Sequence, residues 1–171
     1  MYAFSDKWIR RFLELAGSFA SWSKDPSTQC GAVIIDACKH IVGVGYNGFP
    51  PDVEDRPEWL ANREIKYNLV KHAEENAIRN SNRNVAGCVL FVTHPCCPEC
   101  AQYVCDEGVK EVHWPEPSAE WAERWHDRLE ESKRIFRKAG VQTFCHPLPF
   151  SVDSLQKTSD YKIQESDRSP T

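Results

Sequence analysis

Between residues 5 and 22 the apolar positions Trp8, Phe12, Leu15, Phe19 and Trp22 recur at steps of four and three, the period of a helix that buries one face. Ser23-Lys-Asp-Pro-Ser-Thr ends that period, because Pro26 lacks a backbone donor and disfavours helix at Asp25. Two β-rich runs follow, Ala32-Val-Ile-Ile and Ile41-Val-Gly-Val-Gly, and the short polar stretch 36–40 between them predicts a hairpin. From 47 to 71 the prolines Pro50, Pro51 and Pro57 and many charges interrupt any period, so a long loop with a short helix near Trp59 is expected. Residues 72–80 read as a helix closed by turn-favouring residues 82–87. Cys88-Val-Leu-Phe-Val-Thr is continuously apolar, as a strand covered on both faces would be, and is the expected centre of the sheet. Residues 97–107 suit a helix with Pro98 at its first position and Gly108 just past its end, and 109–114 another strand. One helix over 118–139, with Trp121, Trp125 and Leu129 on a single stripe and Gly140 as its stop, leads into a closing strand at 141–145. The order α, β, β, α, β, α, β, α, β predicts an α/β fold, a central sheet with helices on both faces.

Composition narrows the class. With 41% hydrophobic and 27% charged residues over 171 positions, the chain is apolar enough to collapse as one domain, which excludes a disordered or fibrous protein. Its apolar runs are far shorter than the ~20 residues that cross a bilayer, and Asp6 and Arg10 break up the N-terminal segment, so a cytoplasmic protein with no membrane partner is expected. A net charge of −4 disfavours a broad phosphate-binding surface, so no polynucleotide partner is expected. In a reducing compartment the eight cysteines point to metal binding or catalysis rather than to disulfides. After Pro149 the sequence turns polar and aperiodic, giving an expected domain over 1–149 and a flexible tail over 150–171.

Two short segments carry metal-binding chemistry: His72-Ala-Glu at one expected helix start and Cys97-Pro-Glu-Cys at another. Cys97 and Cys100, three apart, share one face of a helical turn, and a helix N-terminus favours their thiolates. His72 would add a nitrogen, and three protein ligands leave the fourth tetrahedral position of zinc open for chemistry. Residues two apart point about 200° from each other in mid-helix, so His72 and Glu74 converge only in a first turn. Glu74 then need not be a ligand; a carboxylate beside an activated water takes its proton and later returns it to the substrate. A C-x-x-C pair alone suits buried thiols or a redox pair equally well. Together and in this order, the two segments resemble the H-x-E and P-C-x-x-C signature of zinc nucleobase deaminases.

Four segments make the resemblance narrower: Ser23-Lys-Asp-Pro-Ser-Thr-Gln-Cys-Gly-Ala-Val-Ile, Gly45-Tyr-Asn-Gly-Phe-Pro, His72-Ala-Glu-Glu-Asn-Ala-Ile and Val92-Thr-His-Pro-Cys-Cys-Pro-Glu-Cys-Ala. Over residues 5–145 the chain resembles the deoxycytidylate (dCMP) deaminases of the cytidine deaminase-like superfamily. That resemblance implies a three-layer α/β/α fold with a five-stranded mixed sheet, and a homo-oligomer, often a hexamer. It implies hydrolysis of dCMP to dUMP and ammonia, a step toward dTTP precursors, by attack at cytosine C4. By it, His72, Cys97 and Cys100 hold Zn2+, Glu74 shuttles the proton, Asn47 contacts the sugar, and Arg83 falls where some members use an arginine for the nucleotide phosphate. Some members also respond to dCTP as activator, which would bring Mg2+, and to dTTP as inhibitor, or hold a second, structural zinc. Cys30, Cys38, His94 and His113 show no ligand spacing and read as buried thiols and surface histidines. One departure stands out: the usual proline before the first cysteine ligand is Cys96, with Pro95 one place earlier. Since Glu99 lies three residues past Cys96, only Cys97 with Cys100 keeps the spacing.

Other readings stay open at this stage. The substrate can be dCTP or a modified cytosine nucleotide instead of dCMP. A deaminase of tRNA or single-stranded DNA needs a basic, aromatic groove, against which the acidic balance argues. A non-catalytic zinc domain that binds nucleotide would have no use for Glu74.

Overall fold

In the computed structural model, which describes residues 4–147, the first apolar stripe forms α1 (Asp6–Ala20) and lays Phe12, Leu13 and Ala16 on one face of a sheet. The strands are β1 (Gly31–Ile35), β2 (Ile41–Tyr46), β3 (Val89–Val92), β4 (Glu111–Pro115) and β5 (Gln142–His146), in the order β2-β1-β3-β4-β5. β1 is antiparallel to both β2 and β3, whereas β3, β4 and β5 run parallel. Because side chains alternate along a strand, β1 divides the core in two: Val33 and Ile35 join α1, and Ala32 and Ile34 face the other way. On that second face α4 (Ala73–Arg79), α5 (Pro98–Asp106) and α7 (His126–Ala139) contribute Ala77, Val104 and Phe136. Every residue of β3 is buried, as its continuous apolar run requires of the middle strand. The expected mixed five-stranded sheet between helical layers is the observed one.

Glycines in β2 let α4 ride directly on the strand's backbone. A Cβ on Gly45 would lie 2.3 Å from the Ala77 amide nitrogen and 2.5 Å from the Ala73 carbonyl oxygen, both immovable without shifting the helix. This close approach seats the first turn of α4 against the sheet, which matters below. Gly45→Ala is therefore expected to destabilise the protein by about 3 kcal/mol. Gly48→Ala, whose Cβ would meet only the Tyr46 ring at 3.9 Å, should leave the urea midpoint nearly unchanged.

Three expectations change. The 47–71 stretch holds two short helices, α2 (Pro57–Ala61) and α3 (Arg63–Leu69). Asn62 caps α3, its Oδ1 accepting from the amides of Glu64 at 3.0 Å and Ile65 at 3.2 Å. The single helix expected over 118–139 breaks at Trp125 (φ −109°, ψ 14°) into α6 (Ala119–Arg124) and α7. The break follows from packing: α6 buries no residue, whereas α7 is anchored by Ser132 and Phe136. His113, read as a surface histidine, is buried in the sheet, stacked between Phe91 and Phe144 at 4.7 and 4.6 Å. Burial, with His146 beside it, lowers its pKa to about 3 and keeps it neutral. The tail expected over 150–171 lies outside the described residues.

Candidate active site

Two helix starts converge beside the end of β3. His72 is the residue before α4 and Cys97 the residue before α5, where Pro98 at the first helical position has no amide to leave unpaired. The Cys97 sulfur accepts the Cys100 amide at 3.4 Å, which fixes both cysteines on one turn. His72 Nδ1 then lies 3.2 Å from Cys100 Sγ and 3.4 Å from Cys97 Sγ. Tetrahedral zinc with nitrogen at ~2.0 Å and sulfur at ~2.3 Å separates such ligands by about 3.6 Å. One nitrogen and two sulfurs at this spacing fit a single borderline-soft ion, with one coordination position left over.

Neighbouring charges prepare these groups. The Cys100 thiol hydrogen-bonds to the Cys97 sulfur and, with His72, brings the Cys97 pKa down to about 5 against the opposing effect of burial. Its hydrogen bond to Cys97 raises His72 to about 9, while the Cys97 thiolate pushes Cys100 upward. Glu74, in the first turn of α4, is only 7% exposed, and that burial raises its pKa while His72 opposes the rise. The Cys96 thiol hydrogen-bonds to its carboxylate. Cys96 itself is 2% exposed and packs in the core beside Cys100, but its sulfur is not one of the three converging donors.

His72, Glu74, Cys97 and Cys100 line a cleft of about 1380 Å³. Asn47, also lining it, is already engaged: its Oδ1 accepts the Cys30 amide at 2.7 Å and its Nδ2 donates to Thr28 O at 2.9 Å. An amide oxygen has two lone pairs, so one acceptor position remains for a ligand hydroxyl. Cations on several walls also face the cleft, among them Arg63, Lys66, Arg79, Arg124 and Arg128. Trp121, Trp125 and Leu129, the stripe read from the sequence, line the cleft instead of filling the core. Trp125 Nε1 is buried with no hydrogen-bond partner among the described residues. Arg83 does not reach the cleft; Asp36, just past the far end of β1, holds its guanidinium in an ion pair. The structure thus brings together five of the six residues singled out from sequence.

Sequence reasoning missed the pair that braces this wall. Lys66 on α3 donates to Asp25 Oδ1 and to Ser27 Oγ, each at 3.0 Å, and the two charged side chains are 10% and 7% exposed. Asp25 Oδ1 also accepts the amides of Ser27 and Thr28, and so shapes the segment that Asn47 holds. The Asp25-Pro pair hinted at a turn, but nothing in the sequence marks Lys66, 41 residues away. Lys66→Met would leave a buried carboxylate unpaired and is expected to destabilise the protein by roughly 3–5 kcal/mol. Lys66→Arg should recover most of that loss in urea unfolding.

Comparisons with known proteins agree with this geometry. The family model described as the cytidine and deoxycytidylate deaminase zinc-binding region matches residues 6–115. An uncharacterized deaminase encoded in the luxG 3' region of Aliivibrio fischeri is 44% identical over 144 residues, covering 83% of this chain and 95% of that protein. The human deoxycytidylate deaminase is 35% identical over 172 residues, covering 92% and 93%. Among solved structures, the dCMP deaminase of cyanophage S-TIM5 in complex with dCMP and dUMP superposes with a TM-score of 0.67 at 22% identity, covering 83% of this chain and 98% of that one. The zinc-competent triad, the buried glutamate beside it and these likenesses coincide, and the chain belongs to the cytidine and deoxycytidylate deaminase family.

Proposed function

We propose that the protein hydrolyses dCMP to dUMP and ammonia, and that its deaminase domain spans residues 1–149. One observation carries the reading: a buried carboxylate, Glu74, sits beside a His-Cys-Cys ligand set on the wall of a cleft lined with cations. The human relative named a deoxycytidylate deaminase, similar over nearly the whole chain, supports this substrate. Zinc held by His72, Cys97 and Cys100 would supply a water acidic enough to lose a proton near neutral pH.

Glu74 takes that proton as the water oxygen bonds to cytosine C4, and delivers it to N3. It then accepts the second water proton and passes it to the amino group, so the C4–N bond breaks and neutral ammonia leaves. The carboxylate ends as it began. Burial suits Glu74 to this shuttling, because a carboxylate held out of water gains a proton more readily. Asn47 offers its remaining Oδ1 lone pair to the sugar, and Arg63 and Arg124, the wall cations not engaged with a carboxylate among the described residues, meet the phosphate. The same reading makes the protein a cytoplasmic homo-oligomer, a hexamer by family resemblance, activated by dCTP with Mg2+ and inhibited by dTTP. No helix among the described residues is long and apolar enough to cross a membrane.

The test is ammonia release by zinc-loaded protein from dCMP, dCTP, CMP, deoxycytidine and 5-modified dCMP, each with and without dCTP and Mg2+. Preferred turnover of dCMP is expected. Silence across the panel with zinc retained would overturn the assignment and direct attention to polynucleotide bases.

A further inference from the structure

We propose that the turn joining β1 to β2 is a second metal site, in which Asp36, Cys38 and His40 bind a divalent zinc ion independently of the deaminase centre. These residues offer a carboxylate oxygen, a sulfur and an imidazole nitrogen that all lie within 4.8 Å of one another. Oxygen, sulfur and nitrogen together form a donor set for a borderline-soft cation rather than for calcium or magnesium. His40 Nδ1 and Asp36 Oδ2 are 3.1 Å apart, close to the ~3.3 Å that separates two ligands at ~2.0 Å on a tetrahedral ion. Cys38, read from sequence as a buried thiol, is exposed and open to an ion arriving from solvent.

The backbone holds the three side chains for this purpose. Asp36 N donates to His40 O at 3.1 Å, Lys39 N to Asp36 O at 3.0 Å, and His40 N to Asp36 Oδ1 at 2.8 Å. Lys39 adopts φ 69°, a left-handed conformation that disfavours a lysine and is found at no other non-glycine among the described residues. That reversal folds the alternate positions 36, 38 and 40 toward one another instead of spacing them along a strand. The Lys39 ammonium is drawn off over the Trp8 ring, 5.5 Å from its centroid, so its charge does not fill the donor set.

Desolvation raises the Asp36 pKa, but the His40 amide, the Arg83 guanidinium and the His40 ring outweigh it and lower it to about 2, so the carboxylate is ionised throughout the useful pH range. Arg83 pairs with the same Oδ2 that faces His40 and is the cation a metal must compete with. The turn follows Ile35, at the opposite end of β1 from Gly31, whose amide is bound by Thr93 beside the cleft. Five strand residues separate it from the cleft-facing end of β1 by about 15 Å. An ion here would tie the β1–β2 turn shut as a small structural clasp.

The experiment uses the full chain and zinc alone as the probe. Protein equilibrated with Zn2+ against a competing chromophoric chelator at neutral pH is expected to hold about two ions per chain, one of them readily exchanged. Cys38→Ser and His40→Ala should each hold about one. Arg83→Ala, which removes the competing cation, should bind the exchangeable ion roughly ten-fold more tightly. Zinc should also slow alkylation of Cys38 in the unaltered protein and have no such effect in His40→Ala. One ion per chain in the unaltered protein, or a second ion that persists in Cys38→Ser, would overturn the proposal. Both results are independent of which nucleotide the cleft accepts.

Discussion

Glu74→Gln is expected to lower ammonia release about 10⁴-fold, the upper end of what one acid-base group supplies, with zinc content unchanged. Two features of Glu74 set this magnitude. In the proposed mechanism its carboxylate carries the proton for both the attack and the departure of ammonia, so its loss would strike two steps. The amide of glutamine has the same shape and can keep the contact with the Cys96 thiol, so the cleft should keep its geometry. Zinc content by metal analysis separates the two explanations of inactivity. Full metal with no turnover assigns the proton to Glu74, whereas full metal with near-normal turnover would remove it from the mechanism.

The second large effect concerns register at 96–100. Cys97→Ala and Cys100→Ala should each strip the protein of zinc and of activity together, because two remaining donors hold the ion too weakly to survive dialysis. Cys96→Ala should retain the metal, since the Cys96 sulfur lies in the core and its thiol points to Glu74 rather than to His72. Losing that hydrogen bond, at about 1 kcal/mol, should reduce turnover several-fold. Zinc lost from Cys96→Ala and kept in Cys97→Ala would reverse the ligand assignment.

These contrasts mark where one-dimensional reasoning succeeds. The aromatic stripe of α1, the apolar run of β3 and the two helix starts bearing His72 and Cys97 are local patterns, and each folds as its period and capping residues require. The His72, Cys97 and Cys100 cluster was legible because its spacing is itself chemical: a step of three residues from one cysteine to the next is about one helical turn. What stayed hidden depends on partners far apart in the chain. Lys66 and Asp25 meet only because α3 folds back over the Ser23–Thr28 turn, and neither residue announces the other. Arg83 looked available until the strand brought Asp36 to it. The stripe of Trp121, Trp125 and Leu129 had a helical period, but period alone does not distinguish a face that meets a core from one that walls a cleft.

The broken helix has a mechanical consequence. α6 carries Trp121 and Arg124 to the cleft yet buries no side chain, and the hinge at Trp125 leaves an indole N–H without a partner. An unsatisfied buried donor costs roughly 1–3 kcal/mol, so part of the penalty for exposing this wall to water is returned on hydration. Segments with few buried contacts open locally at a small fraction of the global unfolding free energy. The ligand-bearing turns rest on the sheet through Gly45 and the core cysteines, whereas the opposite lip hangs on six residues. Local opening of α6 is therefore expected to cost less than any opening of the sheet that seats the two helix starts.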